Sequence, residues 1–431
     1  MRAGRAMQSV NIQMSAGIKP AVGGAHAWLV WGLSVAFVVY LFGFQTGYSA
    51  VNSSIQKDVG LTVNQVSSIA TTYTWAFAIC QLFSGALLDR LGARVVIPPA
   101  IALVTLGIFM FAHASAYETF LAAQLVLALG ACAGFVGAGY VGGQWFGMAK
   151  FSFMFGLVQF FASLFSAFGQ NLIGVALDHM DWRDLFNAVG MGGVVLFILG
   201  MMFIRNPAPV AGPGLSAGVG SFLRDVLSAI AEVAKIPHVW LSAFWGAIVF
   251  GAMLACGVVW APKILMVRGL SQQMANFAAS IMWLGLAVGC LIVPRWSDIA
   301  RRRRLPTAAA IAIQAAAFAG LLYLPPLGTG ATLALCFLFG VGAAAHMLAF
   351  STAGDIVPPR LIGTSAAIVN GIMFLTSGLL IAIPGQIATR EVVAGTPVSM
   401  LVVEMAGKPL LVGLLTALVL SLTMKETYPN S

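Results

Sequence analysis

The chain has 431 residues, of which 60% are hydrophobic and only 8% are charged, and its formal net charge is +9 at pH 7. Soluble domains carry about 25% charged residues, and a folded chain of this length cannot bury so much apolar surface away from water. The composition therefore excludes a soluble globular protein and predicts an all-α membrane protein. The positive charge is spread over short loops, which argues against a nucleic-acid partner.

The cysteines and histidines give no sign of a metal centre. All five cysteines lie in apolar stretches, and none forms a C-x-x-C pair. We expect packing cysteines, with no metal and no cofactor. Since no cluster of His, Cys and carboxylates offers a nucleophile, the sequence does not favour an enzyme.

Twelve apolar stretches are long enough to cross a bilayer as helices. They are residues 28–51, 64–88, 94–113, 118–142, 151–176, 185–205, 238–264, 272–294, 306–326, 329–350, 363–386 and 405–424. Stretches of about 20 residues fit helices, because the strands of a membrane barrel are shorter.

A Pro- and Gly-rich stretch divides these spans into six and six. We predict a tail at 1–27, a six-helix bundle at 28–205, a linker at 206–237, a second six-helix bundle at 238–424 and a tail at 425–431. Within the linker, Phe222 to Lys235 mixes apolar and charged residues at helical spacing, which predicts an interfacial helix. Landmarks recur at an offset of 209 residues, or 210 for the last pair: Trp31 and Trp240, Gly60 and Gly269, Asp89 and Asp298, Gly130 and Gly340. This repetition predicts two pseudo-symmetric halves.

The distribution of Lys and Arg predicts the orientation. Sixteen of the 22 Lys and Arg residues fall on the side that carries both termini, and six on the other. Loops rich in Lys and Arg stay in the cytoplasm. We therefore expect a multi-pass protein of the cell inner membrane with both termini cytoplasmic. The run Arg301 to Arg304 is expected chiefly to hold its loop inside.

A charged turn between the second and third spans is the most specific motif. It contains Gly85, Asp89, Arg90, Gly92 and Arg94 in the pattern G-x-x-x-D-R-x-G-x-R. Glycine permits close backbone approach and a sharp turn, and a carboxylate is stabilised at a helix N-terminus. The alternative explanation is a purely topogenic turn, in which the arginines only hold the loop on the cytoplasmic side.

The pattern resembles the signature loop of the major facilitator superfamily of transporters, and the twelve spans and long central loop agree with that family. The resemblance implies that Asp89 caps a neighbouring helix and pairs with an arginine, forming a gate latch with Gly85, Arg90, Gly92 and Arg94. The second copy of the motif, around Asp298, is degraded, which implies an asymmetric gate. Span 4 lacks the arginine, and span 5 the proline motif, of the family's drug:proton antiporters, so drug export by proton exchange is disfavoured.

Uncharged polar and aromatic side chains at mid-depth are candidates for substrate binding, because such groups are costly in lipid and should face the interior. They are Tyr40, Gln45, Tyr48, Tyr73, Gln159, Ser163, Trp245, Trp283 and Asn370. The alternative is packing or hydrogen bonding between helices. His346 could carry a coupling proton, or it could be a hydrogen-bonded structural histidine.

We therefore predict a monomeric carrier in the lipid bilayer. It would move a small neutral or zwitterionic solute, such as an amino acid or nucleoside, by alternating access, as a secondary active symporter or a facilitator. A fixed cation would be needed to pair with a highly anionic substrate, and no Lys or Arg is left for the bilayer centre. An exporter of a siderophore or other amphipathic metabolite, and a transporter-like receptor or assembly subunit without net flux, are the alternatives.

Overall fold

A computed structural model of the chain describes residues 23–147, 150–208, 219–325, 328–391 and 399–428. Within these ranges the regular structure is entirely helical. Most of the predicted tail 1–27, residues 209–218 of the predicted linker and the last three residues lie outside the described part.

The helices form twelve spans, which keep their predicted numbers. Spans 1–6 are Ala25–Val59, Val63–Leu91, Ala93–Ala112, the pair Tyr117–Ala131 and Gly134–Phe146, Phe151–Leu177, and Trp182–Phe203. Spans 7–12 are Pro237–Val267, Gln272–Ala300, Arg304–Tyr323, the pair Thr329–Ala343 and His346–Gly354, Ile362–Glu391, and Met400–Thr423. The predicted twelve-helix membrane fold is confirmed.

Eleven spans are long and apolar enough to cross a membrane, judged by length and composition. The exception, Val63–Leu91, has 29 residues but is rich in Ser and Thr. It packs against span 4 of its own half and span 11 of the other half.

The connection between spans 1 and 2 shows how local sequence sets the helix ends. Gly60 ends span 1 in the left-handed conformation, at φ 71°, which glycine adopts without a Cβ penalty. Thr62 then caps span 2 by accepting a hydrogen bond from the Gln65 backbone N–H at 3.2 Å, while the Gln65 side chain accepts from the Thr62 N–H at 2.9 Å. Together the two bonds form a reciprocal capping box.

The second half repeats this turn with one of the two hydrogen bonds of the capping box. Gly269 has φ 93°, and Ser271 accepts a hydrogen bond from the Met274 N–H at 3.3 Å. The shared turn supports two halves built on one plan.

Spans 4 and 10 are interrupted at equivalent places. The breaks fall at Cys132–Ala133 and at Ala344–Ala345. The helix that follows the second break begins at His346. Span 7 contains a π turn at Ala255–Trp260, another local departure from the α-helix that is frequent at functional sites. Broken helices at mid-depth are a common way for transporters to build a site.

A helix in the linker packs against spans 2, 7 and 11, so it contacts both halves. It spans Val219–Ala234, close to the predicted stretch, and its Phe222 and Val226 are buried against Ala86 of span 2. The linker helix therefore lies beside the charged turn that follows span 2.

Candidate functional site

A central cavity of about 410 Å³ lies between the two halves. Residues of spans 1, 2, 4 and 5 line one side, and residues of spans 7, 10 and 11 line the other. Six phenylalanines contribute to the wall: Phe42, Phe77, Phe135, Phe250, Phe350 and Phe374. Among the described residues, the lining contains no Lys, Arg, Asp or Glu. The cavity therefore suits a solute with an apolar body.

Four of the nine predicted binding residues line this cavity. They are Gln45, Tyr73, Gln159 and Asn370. His346, the predicted coupling residue, also lines it. The polar part of the wall thus comes from both halves, which an alternating-access site requires.

Two predicted tyrosines serve the packing of the first half. The Tyr48 hydroxyl donates to the Val66 carbonyl at 2.9 Å and is buried. The Tyr40 hydroxyl lies 3.5 Å from the Thr105 hydroxyl in span 3. Both side chains face neighbouring helices and lie outside the cavity lining.

The other three predicted residues also lie outside the lining. Ser163 accepts a hydrogen bond at 3.0 Å from Gln159, so it orients a lining residue. Trp283 donates to the Gly257 carbonyl at 3.3 Å and holds the π turn of span 7. Trp245 is fully buried within the second half. Helical spacing could not distinguish these inward positions from the cavity wall.

His346 is held in one orientation. Its Nδ1 lies 2.7 Å from the Ala343 carbonyl oxygen, and its ring stacks on Phe250 with centroids 4.7 Å apart. Because a carbonyl only accepts, Nδ1 carries the hydrogen and Nε2 is left as the atom that accepts a hydrogen bond or a proton. The break before His346 places this imidazole in the cavity wall.

On one side of the cavity, Asp89 joins the two halves. We call this side the terminal face, because span 1 begins and span 12 ends there. The Asp89 carboxylate accepts hydrogen bonds from the backbone N–H groups of Gly363 and Thr364, at 2.9 and 2.8 Å, and from the Thr364 hydroxyl at 2.8 Å. Asp89 therefore caps the start of span 11 in the opposite half.

The glycines of the motif make this contact possible. A Cβ at Gly85 would overlap the carbonyl oxygen of Gly363, so the backbones touch there. Gly92 joins spans 2 and 3 at φ 74°, where other residues are strained. Arg94 donates its backbone N–H to Asn206 at 3.1 Å.

Arg90, which follows Asp89 in the motif, does not form an ion pair with it. Arg90 forms an ion pair with Asp225 of the linker helix at 3.2 Å and donates to the Asp225 carbonyl at 2.7 Å. The implied Asp–Arg pair is thus replaced, among the described residues, by a contact to the linker.

The contact between spans 2 and 11 runs from Asp89 up to the cavity. Asn370, in the cavity wall, donates to the Gln81 side chain at 3.0 Å across the halves. One turn higher, Phe77 and Phe374 meet with ring centroids 4.7 Å apart. We call this line of contacts the first seam.

The second motif copy is organised around a buried arginine. Arg303 pairs with Asp298 at 2.6 Å and with Asp355 at 2.9 Å, and its guanidinium lies 4.7 Å from the Tyr428 ring centroid. Burial raises the pKa of the Asp355 carboxyl, and Arg303 opposes that rise. Glu426 accepts from the Arg303 backbone N–H at 2.7 Å. Arg303 is therefore more than a charge that holds its loop inside.

Span 5 forms a second seam between the halves with spans 8 and 10. The Ser152 hydroxyl lies 2.6 Å from that of Ser351 in span 10. Phe155 stacks on Phe350 with centroids 4.9 Å apart, and a Cβ at Gly156 would overlap the Cys290 carbonyl oxygen. Both seams lie at the cavity or between it and the terminal face.

A model of the Major Facilitator Superfamily matches residues 33–382. The chain is 20% identical over 379 residues to the D-galactonate transporter of Escherichia coli O6:H1, covering 82% of this chain and 87% of that protein. It is 27% identical over 169 residues to the probable galactarate/D-glucarate transporter GudP of Bacillus subtilis, which covers 37% of this chain and only 36% of GudP. The crystal structure of the human organic anion transporter MFSD10 matches with a TM-score of 0.65 at 12% identity, over 93% of this chain and 100% of that chain.

Proposed function

Because the chain belongs to the Major Facilitator Superfamily and is a membrane transporter, we propose that it carries a small organic acid with one carboxylate and a largely apolar body. The observation that supports this proposal most is the cavity wall. It combines six phenylalanines with His346 and a few neutral polar groups.

The proposal of an acidic substrate draws on the similar proteins. Their names assign them galactonate, and galactarate or glucarate, which are sugar acids. A substrate of this chemical class would explain a titratable imidazole in the wall. The predicted amino-acid or nucleoside substrate remains a second candidate, favoured by the lack of a fixed cation in the described lining.

A dianion or a polyhydroxylated acid fits this cavity less well. A buried anion without a fixed cation is costly, and each substrate hydroxyl placed against phenylalanine would lose a hydrogen bond to water. A monocarboxylate that enters with one proton has no net charge. His346 Nε2 supplies the position at which that proton is shared.

The mechanism follows from the two seams. The described contacts between the halves close the terminal face, so we propose that the substrate enters from the opposite face. Reorientation then requires spans 2 and 11 to part, which breaks the Asn370–Gln81 and Asp89–Thr364 hydrogen bonds. Asn370 lies in the wall and in the seam at once, so a bound carboxylate competes directly with Gln81 for its amide.

The orientation and assembly state belong to the same proposal. The excess of Lys and Arg on the terminal face supports an inner-membrane protein with cytoplasmic termini. The cavity would then load from the outside, and the protein would act as a proton-coupled importer. The cavity is formed by the two halves of a single chain, which supports transport by a monomer.

Uptake into proteoliposomes tests the proposal. The panel contains aliphatic and aromatic monocarboxylates, galactonate, a dicarboxylate, amino acids and nucleosides, each with and without an inward proton gradient. We expect accumulation of a monocarboxylate, stimulation by the gradient, and loss of that stimulation in His346→Gln. Ser377→Ala is the matched control, because Ser377 lines the same wall but its hydroxyl donates to the Met373 carbonyl. Uptake of amino acids or nucleosides alone would replace the proposal by the second candidate.

A further inference from the structure

A second opening between the halves lies at the terminal face, at the ends of the membrane spans. This groove has a volume of about 460 Å³. The first half contributes Trp28 and Lys150, and the second half contributes Arg295, Ile299 and Tyr428. The groove is separate from the central cavity, with which it shares no lining residue.

The groove contains two exposed cations, one from each half. In the described part of the chain, no carboxylate lies within ion-pair distance of Lys150 or Arg295. Asp298 also lines the groove, but Arg303 holds it at 2.6 Å. An anion placed between Lys150 and Arg295 would therefore interact with two otherwise unpaired charges.

In the part of the chain that the structure describes, no free carboxylate side chain on the terminal face is left for this position. The carboxylates described on the terminal face are already engaged by other groups: Asp89, Asp225, Glu232, Asp298, Asp355 and Glu426. Residues 1–22 contain Arg2, Arg5 and Lys19 and no acid. The described carboxylates therefore leave the position between Lys150 and Arg295 open to an anion from outside the chain.

The rim of the groove is apolar and exposed. Ile299 has 72% of its surface exposed and Trp28 has 50%, and both lie in the last or first turns of spans 8 and 1. At this depth they face the headgroup and upper acyl region of a bilayer, where tryptophan is favoured. A free inorganic anion would leave these side chains uncovered, whereas an acyl chain would cover them.

We propose that the groove binds an anionic phospholipid, with the phosphodiester between Lys150 and Arg295 and an acyl chain over Trp28 and Ile299. Basic pockets between membrane helices bind such headgroups. Because the two cations belong to different halves, the lipid joins them and favours the state in which the terminal face is closed. This inference does not depend on the substrate of the central cavity.

Thermal unfolding of the full chain in lipid nanodiscs tests the site. We expect phosphatidylglycerol, added to phosphatidylcholine discs, to raise the unfolding midpoint of the wild type by several degrees, and K150Q/R295Q to lose most of that rise. The matched control, R224Q/K235Q, removes the same charge from the linker helix and should keep the rise. An equal loss in both double variants would show only general surface attraction and would overturn the proposal.

Two further experiments identify the ligand and distinguish loss of the site from misfolding of the variants. K150R/R295K retains the charges and should retain the lipid effect. Phosphatidylglycerol with brominated acyl chains should quench wild-type tryptophan fluorescence more than brominated phosphatidylcholine, and Trp28→Phe should remove that difference. An equal rise of the midpoint with inorganic phosphate in neutral discs would assign the groove to a free anion and contradict the lipid.

Discussion

The turns after spans 2 and 8 occupy equivalent positions in the two halves, yet they hold the terminal face in different ways. Asp89 reaches across to the backbone of Gly363 and Thr364 in the other half. Asp298 pairs with Arg303 of its own half, and its contact with the first half is a side-chain hydrogen bond from Ser152 of span 5. The first copy of the motif is thus held by the backbone of the other half, whereas the second copy has an ion pair within its own half and a hydroxyl contact to the other.

This difference separates gating from folding. In the proposed alternating-access mechanism, opening of the terminal face would break the described hydrogen bonds from Asp89 to span 11, because their partners belong to the other half. In the same mechanism, Arg303 would keep Asp298, Asp355 and Glu426, because all three belong to its own half. We therefore expect the first turn to set the balance between conformations and the second to stabilise the fold of its half.

Gly85→Ala should have the largest effect on transport. Its Cβ would overlap the Gly363 carbonyl oxygen, so spans 2 and 11 could not close, and we expect uptake in proteoliposomes to fall to background. Gly192→Ala, in span 6, is the control, because a Cβ there meets nothing within 4 Å. Wild-type uptake by Gly85→Ala would mean that the two spans do not meet during the cycle.

Arg303→Gln should have the largest effect on stability. The Arg303 side chain is 4% exposed and has two carboxylate partners, and leaving buried charges unpaired costs about 3–5 kcal/mol. We expect a large drop in the unfolding midpoint in detergent, and a smaller drop for Asp89→Asn. Equal drops in the two variants would contradict the division between gating and folding.

Contacts between neighbouring residues could be predicted from the sequence, whereas contacts between distant segments could not. Gly60 and Thr62 determine a helix end through neighbours within a few residues, so the turn and its capping box could be predicted. The acceptor role of Asp89 could be inferred from the family resemblance, but its partner Thr364 lies 275 positions away. Only packing brings such segments together.

The cavity shows the same limit. Polar residues at mid-depth are rare enough to be noticed, and four of the nine predicted reach the wall. The chain contains 29 phenylalanines, and the sequence does not distinguish the six that line the cavity. An apolar side chain is equally stable facing lipid or the protein interior. Arg303 is one of four consecutive arginines, and nothing in that run distinguishes the buried one.

Asp89→Asn should slow transport without loss of expression. Hydrogen bonds to a charged group are worth about 1.5–3 kcal/mol each, and about 1.4 kcal/mol of lost stabilisation corresponds to a tenfold shift between conformations. We expect turnover to fall by about tenfold and a cysteine introduced in the cavity to become more reactive from the terminal face. Asp298→Asn should change turnover less, because Arg303 keeps Asp355; the reverse order would mean that the second turn is the latch.

Gln81→Leu should have the smallest effect of these variants, and it isolates the link between the cavity and the first seam. Gln81 does not line the cavity but accepts a hydrogen bond from Asn370, which does. We expect a few-fold change in KM, because Asn370 then meets the substrate without a competitor. A double-mutant cycle with Asn370→Ala should give a coupling of about 1 kcal/mol.

The Ser152→Ala and Ser351→Ala cycle across the second seam is the counterpart, and neither serine lines the cavity. Its coupling should appear in turnover and not in KM, because no substrate atom competes for that hydrogen bond.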